Sequence, residues 1–274
     1  MSNQEYASRY FSEMCDVIRR IDVKDVARVT DLLYDTWLDR GTVFIMGNGG
    51  SASTATHFVC DLAKCTIVDG APRFKVIGLN DNIPLNSART NDNGFQHIFS
   101  EQLEPFLGKG DAVVAISVHG GKGSDKAGPW SQNLIRAVAL AKERGARTIG
   151  FSGFNGGLLR EMADACVTIP VNSTPHVESL HLALEHLVCG ALTERIRESV
   201  EPEIRKMRNV ARHQLGDTMM TQCQSQTRIY DSTSAHARSP RAAPHLIHDR
   251  RRFHESPSWV VAISLAQAHC FWSR

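Results

Sequence analysis

The chain has 274 residues, 42% of them hydrophobic and 22% charged, enough for one sizeable core or two small ones. Its net charge of +2 gives no long-range pull toward nucleic acid or an anionic membrane, so neither is expected as a partner. Seven cysteines (Cys15, Cys60, Cys65, Cys166, Cys189, Cys223 and Cys270) form no C-x-x-C pair, and the odd number argues against a disulfide framework and for a reducing compartment.

The opening "MSNQEYASRYF" is polar and charged, unlike a secretory leader. The longest apolar stretch, "WVVAISLAQAHCFW", falls short of the roughly 20 residues a membrane helix needs. A soluble cytoplasmic protein is expected.

Residues 4–40 read as a pair of helices. In the second, Val26, Val29, Leu32, Leu33 and Trp37 recur at helical spacing. The pattern then changes. "TVFIM" (42–46), "FKVIGL" (74–79), "DAVVAIS" (111–117), "ARTIGF" (146–151) and "ACVTIP" (165–170) are short, apolar and β-branched. Helical segments separate them, as in "SQNLIRAVALAKERG", which stops at Gly145. Strand–helix alternation with non-alternating strands predicts an α/β fold, a five-stranded parallel sheet with helices on both faces. Ligands of such sheets bind at the carboxyl ends of the strands.

Three loops stand at those ends. "GNGGS" (47–51) joins the first strand to a helix whose free N–H groups and positive dipole end favour an anion. It has neither the lysine of a Walker loop nor G-x-G-x-x-G spacing. "VHGGKGSDKAGPWSQN" (118–133) follows the third strand, with Ser131 placed to cap the next helix. "SGFNGG" (152–157) repeats the theme. Together they point to a phosphorylated small molecule.

From about residue 217 the periodicity is lost. The segment has arginine but no lysine, scattered histidine and several prolines. It reads as an irregular, disordered appendage at 217–274, after a domain at 1–216 whose α/β core is 41–200.

The ordered set "GNGGS…HF", "TNDNGFQHIF" (90–99), the serine–glycine loop after "DAVVAIS", "SGFNGG" and a late helix ending "LEHLV" resembles sugar isomerase (SIS) domains, and within them the phosphoheptose isomerases. The resemblance spans about residues 5–200. It implies a doubly wound α/β sandwich, a homotetramer, and conversion of sedoheptulose 7-phosphate to a heptose 7-phosphate for bacterial surface polysaccharide. An isomerase of another sugar phosphate is the alternative. So is a non-catalytic relative of the kind that associates with the DnaA initiator. Those relatives lose the acidic residue after "HF" and the late histidine, whereas Asp61 and His186 are present here.

Carried over position by position, the resemblance places the family's histidine on His57. Its glutamate falls on Asp61, shorter by one methylene. The place one helical turn later holds Cys65 where a basic residue is common. The family's "GND" aspartate falls on Asp92, beside Asn91. Its late glutamine and histidine fall on Glu178 and His186. His57, Asp61, Glu178 and His186 would form the zinc site that some members have; two imidazoles and two carboxylates suit Zn²⁺. Asp61 would be the base of an enediol mechanism, His186 its partner and Glu178 the reserve. Asn48, Gly49, Gly50, Ser51, Asn91, Asp92, Ser117, His119, Gly120 and Ser131 would bind substrate. The middle loop departs from the family's Ser-Thr-Ser-Gly-x-Ser. Val118 and His119 replace two hydroxyl residues, and about nine residues with Lys122, Lys126 and Trp130 precede Ser131.

Overall fold

The computed structural model describes residues 1–121 and 131–233. Two helices lead: α1 (Asn3–Ile18) and α2 (Val23–Leu38). Ser2 starts α1 with a capping box: its hydroxyl accepts from the Glu5 amide while Glu5 accepts from the Ser2 amide. Asp22 caps α2 by accepting from the Lys24 amide at 2.8 Å. The core follows as β1 (Thr42–Gly47), α3 (Gly50–Lys64), β2 (Lys75–Gly78), α4 (Ile83–Asn93), a 3₁₀ turn (Phe95–His97), α5 (Ser100–Leu103), β3 (Ala112–Ser117), α6 (Gln132–Glu143), β4 (Arg147–Gly153), α7 (Gly157–Met162), β5 (Ala165–Ile169) and α8 (Thr174–Thr233). The five expected strands and the leading helical pair are all present, with ends within about two residues of those read from the sequence, the usual scatter of element boundaries.

The strands are all parallel, in the order β2-β1-β3-β4-β5. The chain leaves β1 toward β2 on one side and later returns to lay β3 on the other. The switch point therefore lies between β1 and β3, where a doubly wound sheet opens a crevice. Successive strand residues feed opposite faces. Val43, Ile45, Val114, Ile116, Ile149 and Phe151 pack under α2, α3 and the first part of α8, against Leu33, Phe58, Leu62, Leu184 and Val188. Phe44, Met46, Val113 and Ala115 pack on the other face against α5, α6 and α7, through Leu103, Leu134, Val138 and Leu159. Burial on both faces explains why β1, β3 and β5 read as continuous apolar runs.

Residues Met1–His213 form one compact unit, and a second begins at Gln214. The segment 217–233, expected to be irregular, is helical and continues α8. Between Pro202 and Thr233 the only strong helix breaker is Gly216, so backbone propensity sustains a helix where apolar periodicity is missing. The rest of the expected tail, 234–274, lies outside the described residues. No helix among the described residues is long and apolar enough to cross a membrane.

Candidate active site

The carboxyl end of β1 turns through Gly49, whose φ of +57° a side chain would strain. At the next residue, Gly50, a Cβ would lie 2.5 Å from Cδ and 2.8 Å from Oε2 of Glu178 on α8. The small residues of "GNGGS" thus bend the backbone and let a carboxylate from another helix rest on the first turn of α3. Asn48 is fixed by a reciprocal amide pair with Asn133 on α6: each Nδ2 donates to the other's Oδ1 at 2.9 Å. That pair crosses the switch point. Asn80 brackets the Gly47 peptide in the same way, accepting from its N–H and donating to its carbonyl. Ser51 is buried beneath the helix start, its amide donating to the Asn48 carbonyl.

The other expected substrate-binding residues fall into two places. Asn91 lies in the last turn of α4 and donates to Asp92 at 2.7 Å. Asn91, Asn48, Gly49 and Thr90 line a cavity of about 590 Å³. After β3, Ser117 Oγ accepts from the Gly120 amide at 3.1 Å, and the Gly120 carbonyl accepts from Leu159 on α7. The His119 ring packs on Phe154, centroids 4.4 Å apart. Ser131 is the N-cap of α6, as its position predicts, but its hydroxyl makes no capping bond.

The ionisable groups converge between α3 and α8. His57 and Asp61 are one turn apart on α3; Glu185 and His186 are adjacent on α8. The two Nε2 atoms of His57 and His186 are 3.2 Å apart. His57 Nε2 is 3.8 Å from Asp61 Oδ1 and 3.6 Å from Glu185 Oε1. His186 Nε2 is 3.5 Å from both Asp61 Oδ2 and Glu185 Oε1. Both histidine side chains are about half exposed, Asp61 is 13% exposed and Glu185 1%. Neither oxygen of Glu185 has a hydrogen-bond partner. Burial, reinforced by the Asp61 charge, pushes the Glu185 carboxyl up to about pKa 8. The Cys65 thiol lies 3.6 Å from Asp61 Oδ1 and donates to it. Burial and that carboxylate raise the thiol's own pKa.

Such a group can hold a metal ion: one ligand atom from each of the four residues lies within 4.8 Å of all the others. A tetrahedral ion bonded at about 2.0–2.1 Å has ligand–ligand separations of roughly 3.3–3.4 Å. The triangle of His57 Nε2, His186 Nε2 and Glu185 Oε1, with sides of 3.2, 3.6 and 3.5 Å, comes close to one face of such a tetrahedron. An unpartnered buried carboxylate is also what a cation would satisfy.

Three of the four residues expected to bind metal, His57, Asp61 and His186, are thus brought together, and Glu185 stands with them. Glu178, expected as the fourth, is not among them; its carboxylate rests on Gly50. Glu185 was missed in the sequence because it abuts the apolar stripe of Leu184, Leu187 and Val188. Its separation of seven residues from Glu178, which returns to the same helix face, is the signal that could have found it.

The SIS domain family model matches residues 9–153. The lincomycin biosynthesis protein LmbN of Streptomyces lincolnensis is 48% identical over 164 residues, 58% of this chain and 58% of that protein. The chain therefore spans little more than half the length of that relative. The phosphoheptose isomerase of Geotalea daltonii is 35% identical over 178 residues, 62% of this chain and 84% of the relative. The solved structure of phosphoheptose isomerase GmhA from Neisseria gonorrhoeae matches with a TM-score of 0.62 at 27% identity, covering 70% of this chain and 100% of that one.

Proposed function

This chain belongs to the SIS domain family, among its phosphoheptose isomerases, and we propose that it interconverts sedoheptulose 7-phosphate and D-glycero-D-manno-heptose 7-phosphate. The observation that carries this reading is the meeting of two imidazoles and two carboxylates on α3 and α8, beside the loops at the carboxyl ends of the strands. Exchange between ketose and aldose moves one carbon-bound proton between C1 and C2 and one proton between their oxygens. A carboxylate and an imidazole within reach of one sugar end can do both.

The phosphate end is held by the N–H groups of Gly49 and Gly50 and by the hydroxyls of Ser51, Ser117 and Ser131, with Asn48, Asn91, Asp92, His119 and Gly120 around the sugar. A carboxylate takes the proton from C1 of the ketose and the enediol forms. The same carboxylate returns the proton to C2. His186 gives a proton to O2 and recovers one from O1, so the enzyme ends as it began. Asp61 serves as this base when its oxygens are free, and Glu178 when they are not. Zinc suits the donor set of His57, Asp61, His186 and a carboxylate of α8; when bound it supplies a Lewis acid for the carbonyl oxygen.

The working unit in this reading is a cytoplasmic homotetramer. It is supported by an apolar groove of about 550 Å³ between α2 and α8, lined by Ile18, Val23, Leu180, Leu184 and Leu187, of which Val23 is 76% and Leu187 53% exposed. A second reading keeps the chemistry and changes the sugar. It is favoured by the 48% identity to a protein of antibiotic biosynthesis and by the altered loop between β3 and α6. The presence of Asp61 and His186 argues against a non-catalytic regulator. The test is turnover of a panel of ketose phosphates, sedoheptulose 7-phosphate included. Conversion of the seven-carbon substrate supports the first reading. Conversion of another sugar only moves the assignment to the second, and inertness toward all of them overturns both.

A further inference from the structure

We infer that Glu185 supplies the second carboxylate of the metal group, and that Glu178 is thereby left to face the substrate; the second half rests on the isomerase reading above. The two glutamates share one face of α8 but lie about 10.5 Å apart along its axis, seven residues at 1.5 Å each. They cannot do the same work. Glu185 Oε1 reaches both histidine Nε2 atoms, at 3.6 and 3.5 Å. Glu178 instead lies on Gly50, at the start of α3.

Burial separates them as well. Glu185 is buried and neither oxygen has a hydrogen-bond partner, whereas Glu178 is only partly buried. A buried carboxylate without partners is costly, and folded proteins retain one chiefly where a cation or donor meets it. No lysine or arginine is ion-paired with it among the described residues; its ionic neighbours are the two histidines. Their Nε2 atoms are 3.2 Å apart, so one donates to the other when no ion is bound. As lone-pair donors to one ion they are compatible. A divalent cation then satisfies both imidazoles and balances the two negative charges of Asp61 and Glu185. Asp61, with its short arm, comes from α3, and Glu185 completes the ring from α8.

The test uses the full chain, stripped with a chelator and titrated with Zn²⁺ against a chromophoric competitor and with Co²⁺ by its visible absorption. Glu185→Gln should weaken metal binding by roughly tenfold or more and alter the Co²⁺ spectrum. With the metal removed, its melting temperature should stay close to that of the stripped wild type, because the amide has the shape of the carboxyl it replaces. Glu178→Gln should bind metal with wild-type affinity and spectrum while turnover falls. Loss of metal in Glu178→Gln, alone or with Glu185→Gln, overturns the division of labour. Unchanged metal binding in Glu185→Gln overturns the ligand assignment, as does a wild type that takes up neither ion. Should Glu185→Gln fail to fold, Glu185→Asp decides: unchanged affinity and an unchanged Co²⁺ spectrum overturn the assignment. Turnover by the stripped wild type is measured in parallel. A wild type that takes up neither ion and yet turns over the substrate defeats the ligand assignment and leaves the isomerase reading standing, whereas one that binds metal but converts no ketose phosphate does the reverse.

Discussion

Replacing Gly50 by alanine sets stability and activity against each other. A Cβ there would lie 2.5 Å from Cδ of Glu178, against the roughly 3.5 Å at which carbon atoms pack comfortably. The obstacle is the end of a flexible side chain, so the backbone can stay and the carboxylate withdraws by about 1 Å. Gly50 opens α3, and its φ is not in the positive region, so alanine fits the backbone. Greater helix propensity and a stiffer unfolded chain then add up to about 1 kcal/mol of stability. Turnover should move the other way. Displacing a positioned base by about 1 Å can cost on the order of 10²-fold in rate. Differential scanning fluorimetry and kcat for the ketose phosphate check the two signs. Unchanged kcat in a stably folded Gly50→Ala protein would show that Glu178 does not act from Gly50. A large fall in melting temperature would show that the turn, not the carboxylate, requires glycine.

His186→Ala and Asp61→Asn should each lower kcat by roughly 10²–10⁴-fold with the fold intact by circular dichroism, and the double variant should lose far less than the product; full additivity would separate them into two sites. Asp164 accepts from the Thr148 amide at 2.9 Å, its hydroxyl at 2.8 Å and Lys142 at 3.2 Å. Burial pushes the Asp164 pKa up, but these bonds outweigh it and hold it below the usual carboxylate range. Its stabilisation is therefore present above the unfolded value of about 3.9 and fades as pH falls through the lower folded one. Urea melts should show Asp164→Asn less stable than wild type at neutral pH and the gap closing in acid; a constant gap would refute the linkage. Leu187→Glu in the groove beside α2 should lower the assembled mass seen by light scattering without changing the far-ultraviolet spectrum, and an unchanged mass would place the subunit interface elsewhere.

The layers of the fold were legible because parallel strands buried on both faces have to be short apolar runs. "TVFIM" and "DAVVAIS" carry that signature unmistakably, and they became β1 and β3. The site was legible in part. His57 and Asp61 are one turn apart, so their shared face follows from helix geometry alone. Which glutamate of α8 would join them did not follow, because the answer depends on how far α8 slides along α3. Periodicity along one helix says nothing of that offset. Ser131 shows another limit: a sequence can mark the N-cap position, but not whether its hydroxyl bonds the helix it begins. At 217–233 the missing apolar stripe was read as missing structure. A stripe reports what a helix packs against, and 217–233 continues as helix without one.

The reciprocal amides of Asn48 and Asn133 have a consequence for how this chain can diversify. The segment between β3 and α6 is anchored at one end by Ser117 holding the Gly120 amide and at the other by Asn133 clasping Asn48. The sequence between those anchors, Ser131 apart, can be exchanged without removing either anchoring pair. The cluster of His57, Asp61, Glu185 and His186 sits on α3 and α8, which pack on the opposite face of the sheet from α6. Changes in this segment therefore leave that cluster untouched, and a segment grafted between the same two anchors is the natural way to test whether it sets substrate choice.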